Sequence, residues 1–119
     1  MFNISVNNIV TLSRGDSFSC PLFLNEGTDV KPVRHILETG EYVYFFLLRP
    51  NQPFENALVR KKLTKDNLNS NGDVVVSFQP EDTINLCPGT YFYEIRAHLL
   101  EGGKEIINTV VERTRFIIV

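Results

Sequence analysis

The chain has 119 residues, which is the length of one domain and too short for two. Hydrophobic residues make up 43% and charged residues 22%, which excludes a disordered chain, a collagen and a coiled coil. The formal net charge of −2 excludes the global basic field that drives non-specific nucleic-acid binding, so we expect no nucleic-acid partner.

Turn signals rich in Gly, Pro, Asn and Asp recur every 10–20 residues, and short β-rich runs lie between them. Strict alternation of apolar and polar residues, clearest at 17–24, marks half-buried strands. Residues 65–71 are interpreted as a polar loop, with a single helical turn as the alternative. The predicted strands are residues 4–12, 17–24, 42–48, 57–63, 74–78, 91–99 and 105–111, and residues 113–119 either continue the last of these or form a final strand.

The spacing of Cys20 and Cys87 is compatible with the disulfide that joins the two sheets of an immunoglobulin-like sandwich. In that fold a corner tyrosine precedes the second cysteine by two residues, but Asn85 holds that place before Cys87. Tyr91 and Tyr93 fit the corner and cysteine positions better, and the chain has no tryptophan. We therefore predict one all-β domain over residues 1–119, an immunoglobulin-like antiparallel sandwich of seven to eight strands without a disulfide.

Patterns that carry chemistry are scarce. His35 and His98 are the only histidines, no metal-ligand spacing or nucleophile elbow is present, and Gly102-Gly103-Lys104 lies in a hairpin. We expect no catalytic residues, no cofactor and no metal. The acidic pair Glu81-Asp82 is interpreted as a turn in which Asp82 or Thr83 caps the backbone, with calcium binding as the alternative.

Two charged motifs also have simple structural interpretations. Arg14-Gly15-Asp16 matches the integrin-binding tripeptide, but a Gly-Asp turn between strands explains it. The basic cluster of Arg60, Lys61, Lys62 and Lys65 is typical of edge strands protected from aggregation, with a local acidic or phosphate partner as the alternative.

The apolar runs are the most informative feature. Residues 42–48 place large side chains on both faces of one strand, whereas a two-sheet sandwich has a single core for one of those faces. Either a loop such as residues 26–37 covers the second face, or another protein does. The candidate interface residues are Tyr42, Tyr44, Phe46, Phe92, Phe116 and Ile118.

Nothing in the sequence indicates a membrane protein. The N-terminus has no basic and apolar segments of a secretory signal. The longest apolar run has seven residues, whereas a membrane helix needs about 20. We expect a chain made in the cytoplasm, with no membrane partner.

Two separated segments resemble a known family. Arg14, Gly15 and Asp16 lie in SRGDSF at 13–18, which resembles the RGDTF start of small bacteriophage virion domains similar to the N-terminal domain of phage baseplate upper proteins. The second half of that pattern contains a PEDT segment and a later glycine-tyrosine strand. It is matched here by Asp82, Thr83, Pro88, Gly89, Tyr91 and Tyr93.

The resemblance implies an immunoglobulin-like sandwich with a structural role in the virion. The family continues into a receptor-binding stalk, but this sequence stops at Val119, so we expect a free-standing accessory subunit. The expected function is a non-enzymatic decoration or accessory subunit on the capsid, or on the tail or baseplate. It is made in the host cytoplasm and docks in many symmetric copies on other phage structural proteins. The alternative is a module on the virion surface that binds carbohydrate or a host receptor.

Overall fold

The protein is a sandwich of two β-sheets. The computed structural model describes residues 9–22, 24 and 30–119. The strands in these residues are β1 (Val10–Leu12), β2 (Phe18–Leu22), β3 (Tyr42–Leu48), β4 (Val59–Leu63), β5 (Val74–Phe78), β6 (Gly89–Glu101) and β7 (Lys104–Ile118). A five-stranded sheet in the order β1-β7-β6-β3-β4 faces the pair β2-β5, and β1 runs parallel to β7.

This architecture confirms the predicted all-β sandwich, and Cys20 and Cys87 are free thiols as predicted. The predicted first strand is described only over its end, since residues 4–8 lie outside the described residues. A 3-10 turn occupies Lys65–Asn67, so the helical alternative for that loop is confirmed. The other helical segments are a 3-10 turn at Phe54–Asn56 and α1 (Pro80–Thr83). No helix in the described part of the chain is long and apolar enough to cross a membrane.

Residues 113–118 continue the strand before them in β7 (Lys104–Ile118), so the alternative of a continuous strand is confirmed. The pairing register between β6 and β7 shifts on either side of Ile95, but the two strands stay paired beyond each shift. Extra residues on one strand of a pair form β-bulges, which bend a strand and preserve its direction. A strand that bends in this way loses the strict alternation on which the sequence prediction depended.

Aromatic rings from five strands fill the space between the sheets. Phe45 of β3 packs on Phe78 of β5 and on Tyr93 of β6, with ring centroids 5.3 and 5.6 Å apart. Phe116 of β7 and Phe18 of β2 complete the cluster, with Phe116 5.5 Å from Phe78 and Phe18 6.0 Å from it. Burial, with a smaller contribution from Cys20, raises the pKa of Tyr93 to about 12.

Tyr91 forms the predicted corner at the start of β6, where Pro88 and Gly89 lead into the strand. Its hydroxyl donates to the carbonyl of Cys87 at 2.6 Å, which is the return hydrogen bond of a tyrosine corner. Tyr93 is buried in the core in the predicted cysteine position.

The Arg14-Gly15-Asp16 turn and the segment that contains Asp82 and Thr83 are joined by a hydrogen bond. The Gly15 amide donates to the Thr83 hydroxyl at 2.9 Å, and Thr83 is fully buried. Asp82, the third residue of α1, accepts from the amide of the N-cap Gln79 at 2.7 Å in a capping box, so it caps the backbone of this turn as expected. Arg14 and Asp16 are exposed in the turn between β1 and β2. Hence Arg14-Gly15-Asp16 has a structural role in this turn, as expected.

The β6–β7 hairpin extends past β3, and Glu41 supports its extension. The buried Glu41 carboxylate accepts from the Leu100 amide of β6, the Glu38 amide and the His35 ring, each at 2.9 Å. Burial raises the pKa of Glu41, but the two amides and His35 lower it further, so its pKa is below the usual value. The folded protein therefore favours the charged carboxylate.

We expect Thr83→Val to lower the free energy of unfolding by about 1–2 kcal/mol, because the Gly15 amide loses its acceptor. Urea denaturation followed by far-UV circular dichroism measures the loss. Amide exchange at Gly15 should also accelerate. The matched change Thr90→Val on an exposed strand position should alter the free energy of unfolding by less than about 0.5 kcal/mol. Equal effects of the two changes would contradict the Gly15–Thr83 interlock.

We expect Glu41→Gln to cost about 2 kcal/mol at pH 7, because it removes a buried charge from its donors. A lowered carboxyl pKa stabilises the folded state above the unfolded pKa, which is about 4.3. That contribution is lost as the pH falls through the folded pKa. The difference between wild type and Glu41→Gln should therefore shrink between pH 5 and pH 3 in urea denaturation. Glu38→Gln, at an exposed neighbour, is the control; a constant difference down to pH 3 would refute this role of Glu41.

Candidate interaction face

Alternation along β3 divides its side chains between the core and the opposite face of the five-stranded sheet. Val43, Phe45 and Leu47 point into the core. Tyr42, Tyr44 and Phe46 therefore point away from it, and we call these three residues the aromatic ladder. The face that carries them is called the outer face.

The rings of the aromatic ladder contact one another and His98. Tyr44 lies 5.4 Å from both Tyr42 and Phe46, measured between ring centroids. His98 is directly opposite Tyr42 on β6 and stacks on it at 4.5 Å. The ring of Tyr44 meets His98 edge-on at 5.5 Å. This packing shields much of the aromatic surface from water without a core above it.

Cations of the edge strand β4 cover the two ends of the ladder. The Lys62 ammonium lies 4.5 Å from the Tyr42 ring centroid, and the Arg60 guanidinium lies 5.4 Å from that of Phe46. Such cation–π contacts contribute about 0.5–1 kcal/mol at exposed sites. As a result Phe46 is only 7% exposed although it lies on the outer face.

The residues of the predicted basic cluster do not share one face of β4, because side chains alternate along the strand. Lys61 points to the core side, where its ammonium lies 2.8 Å from Asp82 and 5.7 Å from the Phe78 ring centroid. Lys65 donates to the Thr39 hydroxyl at 2.8 Å. The position of β4 at the sheet edge agrees with the edge-strand interpretation.

Carboxylates on β6 and β7 balance part of this charge. Glu94 accepts from Arg96 and from Arg113, each at 3.3 Å. Glu105 accepts from His98 Nδ1 at 2.9 Å and from the Tyr42 hydroxyl at 3.4 Å. Burial, with the neighbouring Glu105, raises the pKa of Tyr42. The outer face is therefore a network of rings and paired charges.

A concavity of about 270 Å³ opens on the outer face beside the ladder. Its lining combines aromatic side chains with both signs of charge. The lining residues are Tyr44, Phe46, Glu55, Arg60, Arg96 and His98.

The structure supports four of the six candidate interface residues as outer-face residues. Phe92 is half-buried there, opposite Leu48 and Arg115. The assignment of Phe116 and Ile118 is wrong, because both are buried in the core, at 0% and 1% exposure. Phe116 pairs with Tyr91, and directly paired residues share one face, so both point inward.

The loop at residues 26–37 does not supply the cover considered for the outer face, as far as it is described. Residues 26–29 lie outside the described residues. Arg34 binds Asp73 at 2.9 Å, Ile36 lies against Gly72, and Leu37 is buried in the core. The described part of this loop therefore packs near β5, away from the aromatic ladder.

Sequence reasoning overlooked the polar partners of the ladder, chiefly Glu55, Arg96 and His98. The side chain of His98 is 15% exposed and stacked on Tyr42. Its alternation with Glu94 and Arg96 was the available signal, because these residues lie opposite an aromatic strand once β6 pairs with β3. In the described ranges no three His, Cys, Asp or Glu side chains are grouped as metal ligands.

Comparison with protein-family models, curated proteins and solved structures finds no match to this chain.

Truncating a side chain in the core should lower the free energy of unfolding more than truncating one on the outer face. We expect Phe116→Ala to lower the free energy of unfolding by about 3–5 kcal/mol, because it leaves a cavity in the core. Tyr44→Ala on the outer face should cost only about 1 kcal/mol, since it removes cross-strand ring contacts alone. Urea denaturation followed by circular dichroism compares them. A cost of Tyr44→Ala equal to that of Phe116→Ala would contradict the division into core and outer face.

Proposed function

We propose that the protein is a non-enzymatic structural subunit of a bacteriophage virion that docks on another virion protein through its outer face. The observation that carries the docking is the aromatic ladder, with arginines around it, on the outer face, where Tyr42 and Tyr44 remain partly exposed. Tyrosine and arginine are the residues enriched where protein interfaces concentrate their binding energy.

Charge supports a protein partner with an acidic surface. The described side chains of the outer face include five cations and three carboxylates, although the chain as a whole has a net charge of −2. Complementary charge steers association and sets orientation at such interfaces. The cations are Arg60, Lys62, Arg96, Arg113 and Arg115, and the carboxylates are Glu55, Glu94 and Glu105.

The size of the face supports binding in many copies. Four strands spaced about 4.8 Å apart and seven residues long give a projected area of roughly 400–450 Å². Stable interfaces bury about 800 Å² per partner, so a single copy is expected to bind weakly. A symmetric array compensates, because linked weak contacts gain avidity.

The virion assignment rests on the resemblance of the two turn motifs. The structure joins them, since Gly15 of the first motif donates to Thr83 of the second. Tyr91, in the same pattern, closes the tyrosine corner. The residues of the resemblance therefore act together in the scaffold of this chain.

A carbohydrate- or receptor-binding module is the second candidate, and the concavity with Glu55, Arg60 and Arg96 favours it. The contacts that the aromatic rings already make argue against carbohydrate binding. Sugars stack on open aromatic faces, but Tyr42 is covered by Lys62 and His98, and Tyr44 is stacked on Phe46. We therefore prefer the protein-docking function.

Binding to capsids, tails and baseplates purified from the phage that encodes the protein tests this proposal. We expect the wild-type protein to cosediment with one of these particles, and Tyr44→Ala or Arg60→Glu to reduce binding at least tenfold. Arg14→Glu is the matched control, because it reverses the same charge in the exposed turn between β1 and β2. Absence of cosedimentation with all three particles would overturn the proposal. A specific hit on a glycan array would favour the second candidate instead.

A further inference from the structure

We infer that the free end of the β6–β7 hairpin extends the docking surface and receives an apolar side chain of the bound virion protein. This inference rests on the proposed function, and it adds Leu100 and Ile107 to the outer face together with the chemistry that they recognise. Three observations carry it: the face on which these two residues lie, the large exposed fraction of their side chains, and the contacts that hold the hairpin beside the ladder.

Strand pairing places Leu100 and Ile107 on the outer face. Ile107 of β7 lies directly opposite His98 of β6, and His98 lies directly opposite Tyr42 of β3. Directly paired residues share one face, so these three side chains form a row across the sheet. Leu100 follows His98 by two positions along β6 and therefore lies on the same face. Apolar surface thus continues from the aromatic ladder to the hairpin.

Both side chains are open to solvent. Ile107 is 56% exposed and Leu100 is 44% exposed, whereas Phe46 of the ladder is 7% exposed. Leu100 pairs with Glu105, two positions from Ile107, so the two apolar residues are diagonal neighbours. Such neighbours are about 7–8 Å apart, which lets a single side chain of a partner contact both. Exposed apolar residues grouped in this way are typical of interaction surfaces.

The hairpin is fixed in place beside the ladder. The Leu100 amide donates to the buried Glu41 carboxylate at 2.9 Å. A Cβ at Gly40 would lie 3.1 Å from Leu100 Cδ1, so the Leu100 side chain packs closely on the turn before β3. His98, opposite Ile107, is stacked on Tyr42 at 4.5 Å. The free protein therefore already positions the two apolar side chains, which lowers the ordering cost of association.

Charge indicates that the occupant is an apolar group. Glu101 and Lys104 lie directly opposite each other at the end of the hairpin and contribute one charge of each sign. Glu105 is bound to His98 and to the Tyr42 hydroxyl. The hairpin end therefore offers a partner apolar contact between polar residues, the arrangement in which an interface has an apolar centre and a polar rim.

Area supports the same conclusion. The four-strand face has a projected area of roughly 400–450 Å², about half of the roughly 800 Å² that stable interfaces bury per partner. The hairpin end continues this face beyond the end of β3, so contact there adds apolar area to an interface that is otherwise small.

The test is cosedimentation, titrated to saturation, with the virion particle that the wild-type protein binds. We expect Ile107→Thr to weaken binding about fourfold or more, because burying the exposed half of such a side chain corresponds to roughly a four- to twelvefold change in affinity. Threonine keeps the branched shape that suits a strand. The matched control is Ile36→Thr, the same change at a side chain that is 53% exposed and lies against Gly72, which should weaken binding less than twofold. Circular dichroism verifies that both variants fold.

Hydroxyl-radical footprinting of the wild-type complex gives a second readout that needs no variant. We expect Leu100 and Ile107 to be oxidised in the free protein and to be protected at least threefold in the complex. Ile36 should be oxidised equally in both.

Equal effects of Ile107→Thr and Ile36→Thr, or unchanged oxidation of Leu100 and Ile107 in the complex, would overturn the inference. Self-association of the free protein that Ile107→Thr abolishes in analytical ultracentrifugation would also overturn it, because the occupant would then be a second copy of the chain. These results differ from a failure of docking. If Tyr44→Ala loses binding while Ile107→Thr does not, the outer face docks without its hairpin end. If the wild-type protein binds no particle, the proposed function and this inference are both wrong.

Discussion

The aromatic cluster between the sheets is the interaction on which the rest of the structure depends. It takes rings from β2, β3, β5, β6 and β7, with centroids 5.3–6.5 Å apart, and replaces the disulfide and tryptophan of an immunoglobulin domain. Because side chains alternate along a strand, placing Phe45 and Tyr93 inward forces Tyr44 and Arg96 outward. The outer face is thus a consequence of how the core is filled.

The outer face keeps large rings soluble without burying them under another layer. Lysine, arginine and histidine lie against the ladder, and each of the cation–π contacts made by Arg60 and Lys62 contributes about 0.5–1 kcal/mol at an exposed site. Contacts of this strength exchange readily for contacts with a partner, because their loss destabilises the fold little. In the proposed docking function, the same residues would supply rings and donors to the complex.

Much of the fold could be predicted from the sequence, because it depends on local patterns. Alternation located the strands, and the Pro88–Tyr91 segment indicated the tyrosine corner. The faces of β7 could not be predicted, since Phe116-Ile117-Ile118-Val119 is apolar at every position. Only pairing with β6, after two shifts of register, decides that Phe116 and Ile118 point inward. The partners of the ladder were overlooked for the same reason, because Arg60 and His98 meet it only through strand pairing.

The motifs of the family resemblance and the residues of the outer face occupy different parts of the sandwich. Thr83 and Tyr91 act through hydrogen bonds of their side-chain hydroxyls to backbone groups, and Gly15 adopts a φ of 82°, which favours glycine. The ladder and the concavity depend instead on the register of β3, β4 and β6, which tolerates many side chains at each outward position. Proteins that share the turn motifs are therefore expected to share the scaffold, while their partners follow from the residues at these outward positions. In the proposed function, the outer face accordingly determines which virion protein is bound, whereas the turn motifs carry the resemblance to the virion domains.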